Sequence, residues 1–256
     1  MSLHEKPVIS VIVPNHNYGK WIIESIESIV NDEYPKKRIF VVDDGSTDDS
    51  VNNVLNKIHK PERFEFNKIP GICGKFNNSN ADIFLISYKE CKGPSCARNV
   101  GIKAAWDKTD AFSFLDSDDL HINGKLNLTS EALVKGWGVI GAVYSDYINF
   151  DAITNSHHPQ FKEAFCSERI LNDCIMPSNS LVPKYVFEKI GMFDESMRVA
   201  EDWDFWIRMS KHYIGYHIPK FLSLVRVGNY NSTNTVPKDV WLKNWQKIRE
   251  KIQNVE

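Results

Sequence analysis

No apolar run in this 256-residue sequence approaches the roughly 20 residues that span a bilayer, so no transmembrane segment is expected. The opening residues Met1-Ser2-Leu3-His4-Glu5-Lys6 have no signal-peptide h-region, which points to a cytoplasmic protein. Cysteine is sparse and odd in number: Cys73, Cys91, Cys96, Cys166 and Cys174 form no C-x-x-C pair. A disulfide framework or structural zinc site is therefore not expected, and the thiols should be reduced. Excess charge is absent too, with a net charge of -2 and Lys and Arg scattered, so there is no electrostatic footprint for nucleic acid. There is no internal repeat, low-complexity segment or obvious linker. Neither a G-x-G-x-x-G after the first strand-like run nor a Walker lysine loop is found, which removes support for dinucleotide and P-loop readings.

What is present is the composition of an ordinary globular protein, 42% hydrophobic and 25% charged, long enough for one large α/β domain or two small ones. Residues 8–13 read as a buried strand stopped by Pro14, and Trp21, Ile22, Ile26, Ile29 and Val30 recur at helical spacing. A second strand over 39–42 leads into Asp43-Asp44-Gly45 and a helix beginning near Ser46, which can cap it while Asp48 and Asp49 favour its positive end. Residues 64–66 form a weaker third strand, 95–106 a helix and 111–115 another strand. This βαβα order predicts a mainly parallel sheet. The second half is less regular: a strand within 139–150, a short helix over 166–173 and a helix over 184–190 ended by Gly191.

In a parallel sheet ligands bind at the carboxyl ends of the strands, and the polar residues of the first half collect there. Three strands end in Pro14-Asn15-His16-Asn17, Asp43-Asp44-Gly45 and Asp116-Ser117-Asp118-Asp119. Carboxylates at that position offer hard oxygen ligands to a divalent cation, although turns and helix N-caps use the same residues. Glu201-Asp202-Trp203-Asp204-Phe205-Trp206 mixes acids and aromatics at the start of a helix, where acids also complement the dipole. Between residues 68 and 93, Gly71, Gly74 and Asn77-Asn78-Ser79-Asn80 suggest either a mobile loop closing over a ligand or a surface insertion with a small extra strand at 83–86. Over 237–256, Trp241, Trp245, Ile248 and Ile252 form one apolar stripe on a charged helix. Packing back onto the domain is the main expectation, a dimer or peripheral membrane contact the alternative.

Taken in order, Val11-Ile12-Val13-Pro14-Asn15-His16-Asn17, Val41-Val42-Asp43-Asp44-Gly45-Ser46-Thr47-Asp48, Ala97-Arg98-Asn99-Val100-Gly101, Leu115-Asp116-Ser117-Asp118-Asp119, and Gly191-Met192-Phe193-Asp194-Glu195-Ser196 followed by the Glu201 to Trp206 stretch resemble a family 2 glycosyltransferase. The resemblance runs from about residue 7 to 226. It implies a GT-A fold, α/β and Rossmann-like, with a mainly parallel central sheet flanked by helices. A single domain over 1–235 would carry a nucleotide-binding half at about 7–120 and an acceptor half at about 121–235, with 236–256 as a C-terminal amphipathic helix. The implied reaction is an inverting, Mn²⁺- or Mg²⁺-dependent transfer of one sugar from a nucleotide-sugar donor to a hydroxyl on a sugar, lipid-linked or protein acceptor, as in surface polysaccharide or glycoconjugate synthesis. The Q-x-x-R-W segment of processive polysaccharide synthases is missing, which favours single-sugar transfer.

By this resemblance Asp118 is the metal ligand of a D-x-D motif, Asp116 contacts the ribose or the metal's water shell, and Asp119 serves a turn or cap. Pro14, Asn15 and His16 lie beside base and ribose. Asp44 accepts a hydrogen bond from a base ring N–H, which favours uracil, while Asp43 is equally suited to a structural role. Arg98 and Asn99 approach the nucleotide, and Lys92 contacts phosphate. Asp202 is the catalytic base, with Glu201 the fallback and Trp203 shaping a pocket. Relatives often carry a histidine that Tyr230 replaces in Leu224-Val225-Arg226-Val227-Gly228-Asn229-Tyr230, so a third protein metal ligand is not identified. That departure leaves a catalytically inactive nucleotide-sugar binding module as one alternative. A sugar nucleotidyltransferase is the other, although its Gly-rich cationic loop is missing.

Overall fold

The computed structural model describes residues 5–66, 68–77, 79–228 and 231–253. The first half runs β1 (Ile9–Asn15), α1 (Ile22–Val30), β2 (Lys37–Asp44), α2 (Ser50–Leu55), β3 (Ile58–Phe66), β4 (Ile69–Phe76), β5 (Asp82–Tyr88), α3 (Pro94–Ala105) and β6 (Ala111–Phe114). The second half runs β7 (Leu120–His121), α4 (Lys125–Lys135), β8 (Ile140–Asp151), β9 (Ser156–Gln160), α5 (Ser167–Ile170), β10 (Leu181–Pro183), α6 (Lys184–Ile190), α7 (Glu201–Ser210), β11 (Ile214–Arg226), α8 (Ser232–Thr235) and α9 (Lys238–Gln253). One sheet joins them in the order β3-β4-β5-β2-β1-β6-β10-β8-β11-β7, with β9 paired to β8. The middle, β5-β2-β1-β6, is parallel as the βαβ pattern predicts, and so is the β8–β11 pair. The β3-β4-β5 flank and the β6-β10-β8 connection are antiparallel.

The alternation of β1 explains why its strand is wholly buried. Ile9, Val11 and Val13 pack with Ile22, Ile26 and Ile29 of α1, while Ile12 faces Ile102 and Ala105 of α3 on the other side. Gly101 makes the second contact close: a Cβ there would lie 2.6 Å from Ile12 Cγ2, so only glycine lets α3 settle this near the sheet. Pro14 does not stop β1, which continues to Asn15. The N–H of Ala111 bonds to Val8 O and that of Leu115 to Ile12 O, so the even-numbered peptides of β1 face β6. Pro14 has the same parity and sits past the last β1–β6 pair, Ile12 with Phe114, where no donor is required.

Two other expectations change. The strand expected at 83–86 is present as part of β5, but the segment after residue 68 is not a mobile loop or a surface insertion: β4 and β5 occupy it, and β5 lies next to β2 in the parallel core. Gly71 is there for close approach, because a Cβ would sit 2.4 Å from the Phe64 ring across the hairpin. Ser46 does not cap α2, which begins at Ser50. Asp48 accepts from Ser50 N at 3.0 Å and from Gly19 N at 2.8 Å instead.

Helix α9 packs on α7 through part of its stripe. Ile248 is buried with Met197 and Ile207, and Ile252 joins the same cluster. Asn244 Nδ2 donates to Val199 O at 2.8 Å, and Lys251 Nζ bridges Asp194 and Asp204 at 2.7 Å each. Trp245 is 41% exposed, and Trp241 lines the large cavity described below. Ile248→Ala should therefore lower stability by about 2–5 kcal/mol in urea unfolding, and Trp245→Ala by less than about 1 kcal/mol.

Candidate active site

The carboxyl ends of β1, β2 and β6 open into one cavity of about 780 Å³, bordered on the other side by the start of α7 and by Val225, Arg226, Val227, Asn231 and residues 234–236. Pro14, Asn15, His16, Asp44, Arg98, Asp116, Asp118 and Asp202 all line it. Lys92 and Asn99 do not. Asn99 is buried with both ends of its amide engaged, Nδ2 donating to Phe193 O and Glu195 Oε1 and Oδ1 accepting from Phe193 N. It ties α3 to the 193–195 turn rather than meeting a nucleotide. Lys92 contributes its backbone, not its ammonium: its N–H donates to Asp44 Oδ1 at 2.8 Å.

Two loops are latched at the β1 and β2 ends. Asn15 Nδ2 donates to Asp43 Oδ2 at 2.9 Å, and Asp43 Oδ1 accepts from Ser46 N, which gives Asp43 its structural role. Asn17, at φ 61°, accepts Thr47 N at 2.8 Å through its side-chain oxygen. His16 Nδ1 lies 2.7 Å from the carbonyl of Asp44, a pure acceptor, so Nδ1 carries the proton and Nε2 accepts from Asn17 Nδ2. The Asp44 carboxylate, expected to face a base, already accepts Lys92 N, Gly93 N at 2.7 Å and Cys91 Sγ at 3.3 Å. About one of its four lone-pair positions remains for a ligand.

The acids of β6 and α7 meet around a buried arginine. Arg98, 4% exposed, donates to Asp116 Oδ1 at 2.8 Å and to Glu201 Oε1, joining the two halves of the chain. Burial works against its charge, but Asp116, Glu201 and Asp202 outweigh burial and hold the guanidinium protonated. Glu201 is thereby engaged. Asp202 accepts only its neighbour's backbone, Trp203 N at 2.8 Å, leaving the second oxygen without a donor among the described residues. Ala200, at φ 58°, makes the sharp turn that brings both acids to the first turn of α7. Burial and the Glu201 charge push the Asp202 carboxyl up to about 7, against the pull of Arg98. Trp203 Nε1 donates to Ile170 O at 2.6 Å, anchoring α7 to α5.

Asp118 and Asp119 have different work. Asp119 closes its turn through N–H to Asp116 O at 3.0 Å, and its carboxylate accepts Arg226 N at 2.8 Å, so it is a latch. Arg226 lies over Trp21 at 3.9 Å, pairs with Glu24 and donates to Asp118 O, which makes it a scaffold for the loop rather than a free phosphate ligand. Asp118 accepts Asn231 Nδ2 at 2.9 Å, and burial together with the Asp116 charge lifts its carboxyl to about 7. The mutual repulsion of Asp116 and Asp118 is what a divalent cation neutralises. No three His, Cys, Asp or Glu side chains among the described residues are gathered as a complete metal shell. Such a donor set fits an ion held by one or two carboxylates and completed by ligand phosphates and water, as Mg²⁺ commonly is.

Tyr230 lies outside the described residues. Asn231 makes the contact to Asp118, and no sequence pattern marks it in advance. Arg198 was missed too: it is exposed on the cavity lining and forms no ion pair among the described residues, whereas Arg98 and Arg226 are both engaged. Among the described residues no helix is long and apolar enough to cross a membrane.

The sequence model of the family described as "Glycosyl transferase family 2" matches residues 10–191. An uncharacterized glycosyltransferase of Rickettsia felis is 31% identical over 235 residues, covering 91% of this chain and 35% of that protein. The chain thus spans about a third of the length of this relative, and 29% of a second one from Rickettsia bellii. Among solved structures, S. aureus TarS 1-349 in complex with UDP-GlcNAc superposes with a TM-score of 0.68 at 20% identity, over 90% of this chain and 61% of that one. The mannosyltransferase PcManGT from Pyrobaculum calidifontis, in complex with GDP-Man and Mn²⁺, gives 0.63 at 18% identity, over 90% and 59%. The architecture, a large central sheet flanked by helices, is the GT-A fold of these structures.

Proposed function

The chain belongs to glycosyl transferase family 2, and from that premise we propose that the cavity binds a nucleotide-sugar, a UDP-sugar being favoured, and passes one sugar with inversion to an acceptor hydroxyl. The observation that carries this reading is the convergence in one cavity of Asp116 and Asp118 from the β6 end with Asp202 from the start of α7. A bound UDP-GlcNAc in TarS and GDP-Man with Mn²⁺ in PcManGT support the donor class and the use of a divalent ion. The five free cysteines fit a reducing, cytoplasmic setting.

In this reading Asn15 and His16 border the nucleoside, with one acceptor position of Asp44 left for a base N–H. Arg198 meets diphosphate charge from the rim. Asp118, with Asp116 alongside, would hold the divalent cation. When bound, that cation supplies positive charge against the diphosphate leaving group. Asp202 takes the proton of the acceptor hydroxyl as the oxygen bonds to the anomeric carbon. The bond from that carbon to the diphosphate breaks, and its electron pair leaves with the nucleoside diphosphate. A base lifted to about 7 is half ionised near neutral pH and matched to this task.

Incubation with UDP-sugars and GDP-mannose in Mn²⁺ tests the proposal through nucleoside diphosphate release. Release is expected with at least one UDP-sugar and should fall about 100-fold or more in Asp118→Asn, since loss of one such electrostatic group costs on that order. Folded protein that releases nothing from any donor would overturn the reading.

A further inference from the structure

Beside the main cavity lies a pocket of about 240 Å³ that shares Asp116, Asp119 and Asp202 with it. Lys162, Cys174, Met176, Pro177 and Asn179 belong to this pocket alone. The backbone around Lys162 is fixed: its N–H donates to Asp146 Oδ1 at 2.8 Å, the same oxygen accepts His217 Nε2 at 2.8 Å, and the Tyr144 hydroxyl donates to Glu163 O at 2.8 Å. Yet the Lys162 ammonium forms no ion pair among the described residues, although three carboxylates line the same pocket. Asn179 is 5% exposed and its Oδ1 is buried with no hydrogen-bond partner. Ser180 Oγ donates to Pro177 O at 2.7 Å and holds the turn that carries it. An amide oxygen buried without a donor is destabilising, and a ligand hydroxyl relieves it.

We propose that this pocket is the acceptor subsite, built for an acceptor that carries an anionic group, phosphate or carboxylate, on Lys162 and a hydroxyl donating to Asn179 Oδ1. This rests on the transferase reading above. The pocket has opposite chemistry in its two parts, and that fixes orientation. An anionic substituent is repelled by Asp202 in its ionised, working form and attracted by Lys162, so the acceptor enters with its nucleophilic hydroxyl toward Asp202. A neutral acceptor of equal size lacks this bias. The volume suits one sugar or short polyol unit.

The test compares UDP release, with the best donor, at matched concentrations of glycerol and glycerol 3-phosphate, and of glucose, glucose 6-phosphate and glucuronate. The charged members should be favoured about tenfold or more in kcat/KM, a factor that corresponds to about 1.4 kcal/mol. The phosphate and glucuronate arms separate the two anion sources. Lys162→Gln should remove the preference through the acceptor KM, and Lys162→Arg should restore most of it. Ligand-observed NMR of glucose 6-phosphate with the UDP-saturated protein gives a readout free of turnover, and Lys162→Gln should weaken binding at least tenfold. Equal use of charged and neutral acceptors, or anion binding unchanged in a folded Lys162→Gln protein, overturns the proposal. Donor turnover that persists with no anion preference contradicts this subsite alone. Absence of all donor turnover counts against the parent reading.

Discussion

Asp202→Asn is expected to lower kcat by about 10²–10⁴-fold, the usual contribution of a positioned general base, while nucleoside diphosphate binding stays near that of the parent protein. The size follows from the site. Glu201, the other acid of the pair, is ion-paired to Arg98, whereas Asp202 accepts only the Trp203 N–H and forms no ion pair among the described residues. The pH profile supplies a second signature. The Asp202 carboxyl is raised from 3.8 to about 7 by burial and by Glu201, so the ionised base is lost as pH falls through about 7. Parent kcat/KM should therefore drop about tenfold per unit below that point, and the residual activity of the Asn variant should be flat there. Steady-state kinetics across pH 5–9 with UDP binding measured on the same samples checks both. Near-full turnover in a folded Asn variant would remove Asp202 from the reaction.

Arg98→Met should destabilise the protein by about 3–5 kcal/mol in urea unfolding at pH 7, because a buried cation disappears while its carboxylates remain. Arg98 is 4% exposed and joins Asp116 of the β6 end to Glu201 of α7. Against a total stability of about 5–15 kcal/mol, that loss is a large fraction. Arg98 also lowers the Asp202 pKa, so its removal should move the acid limb of the pH profile upward in any variant that still turns over. Arg98→Lys keeps the charge but not the planar fork that serves two acids at once, and should recover only part of the stability. A loss below about 1 kcal/mol for the Met variant would mean that the two halves are not joined here.

How far the site was legible depended on whether a residue's direction follows from its place in the chain. Pro14, Asn15, His16, Asp44, Asp116 and Asp118 follow buried strands or end them, and strand ends in a parallel sheet share one edge, so their meeting could be foreseen. Arg98 and Asn99 are neighbours on α3 and therefore point about 100° apart, so both could not face the cavity. Arg98 does, and Asn99 turns to the 193–195 turn. Lys92 lies in a loop that uses its peptide N–H, which no side-chain reading can reveal. Asn231 and Lys162 reach the site by long-range folding of irregular segments with no local period to announce them. The parallel core was read correctly from βαβα order. The β3–β4 hairpin was not, because Gly71 resembles loop punctuation while serving close packing under Phe64.

The nucleotide site itself is best examined by thermal unfolding with UDP, GDP, dTDP and CDP, each with and without Mn²⁺. UDP with Mn²⁺ at about 100 times Kd should stabilise the protein by about 2.7 kcal/mol, a rise of about 5–10 °C in Tm for a chain of this size. The rise should be much smaller without Mn²⁺ and should vanish in Asp118→Asn. No Mn²⁺-dependent shift with any of the four nucleotides would contradict a donor site at Asp116 and Asp118.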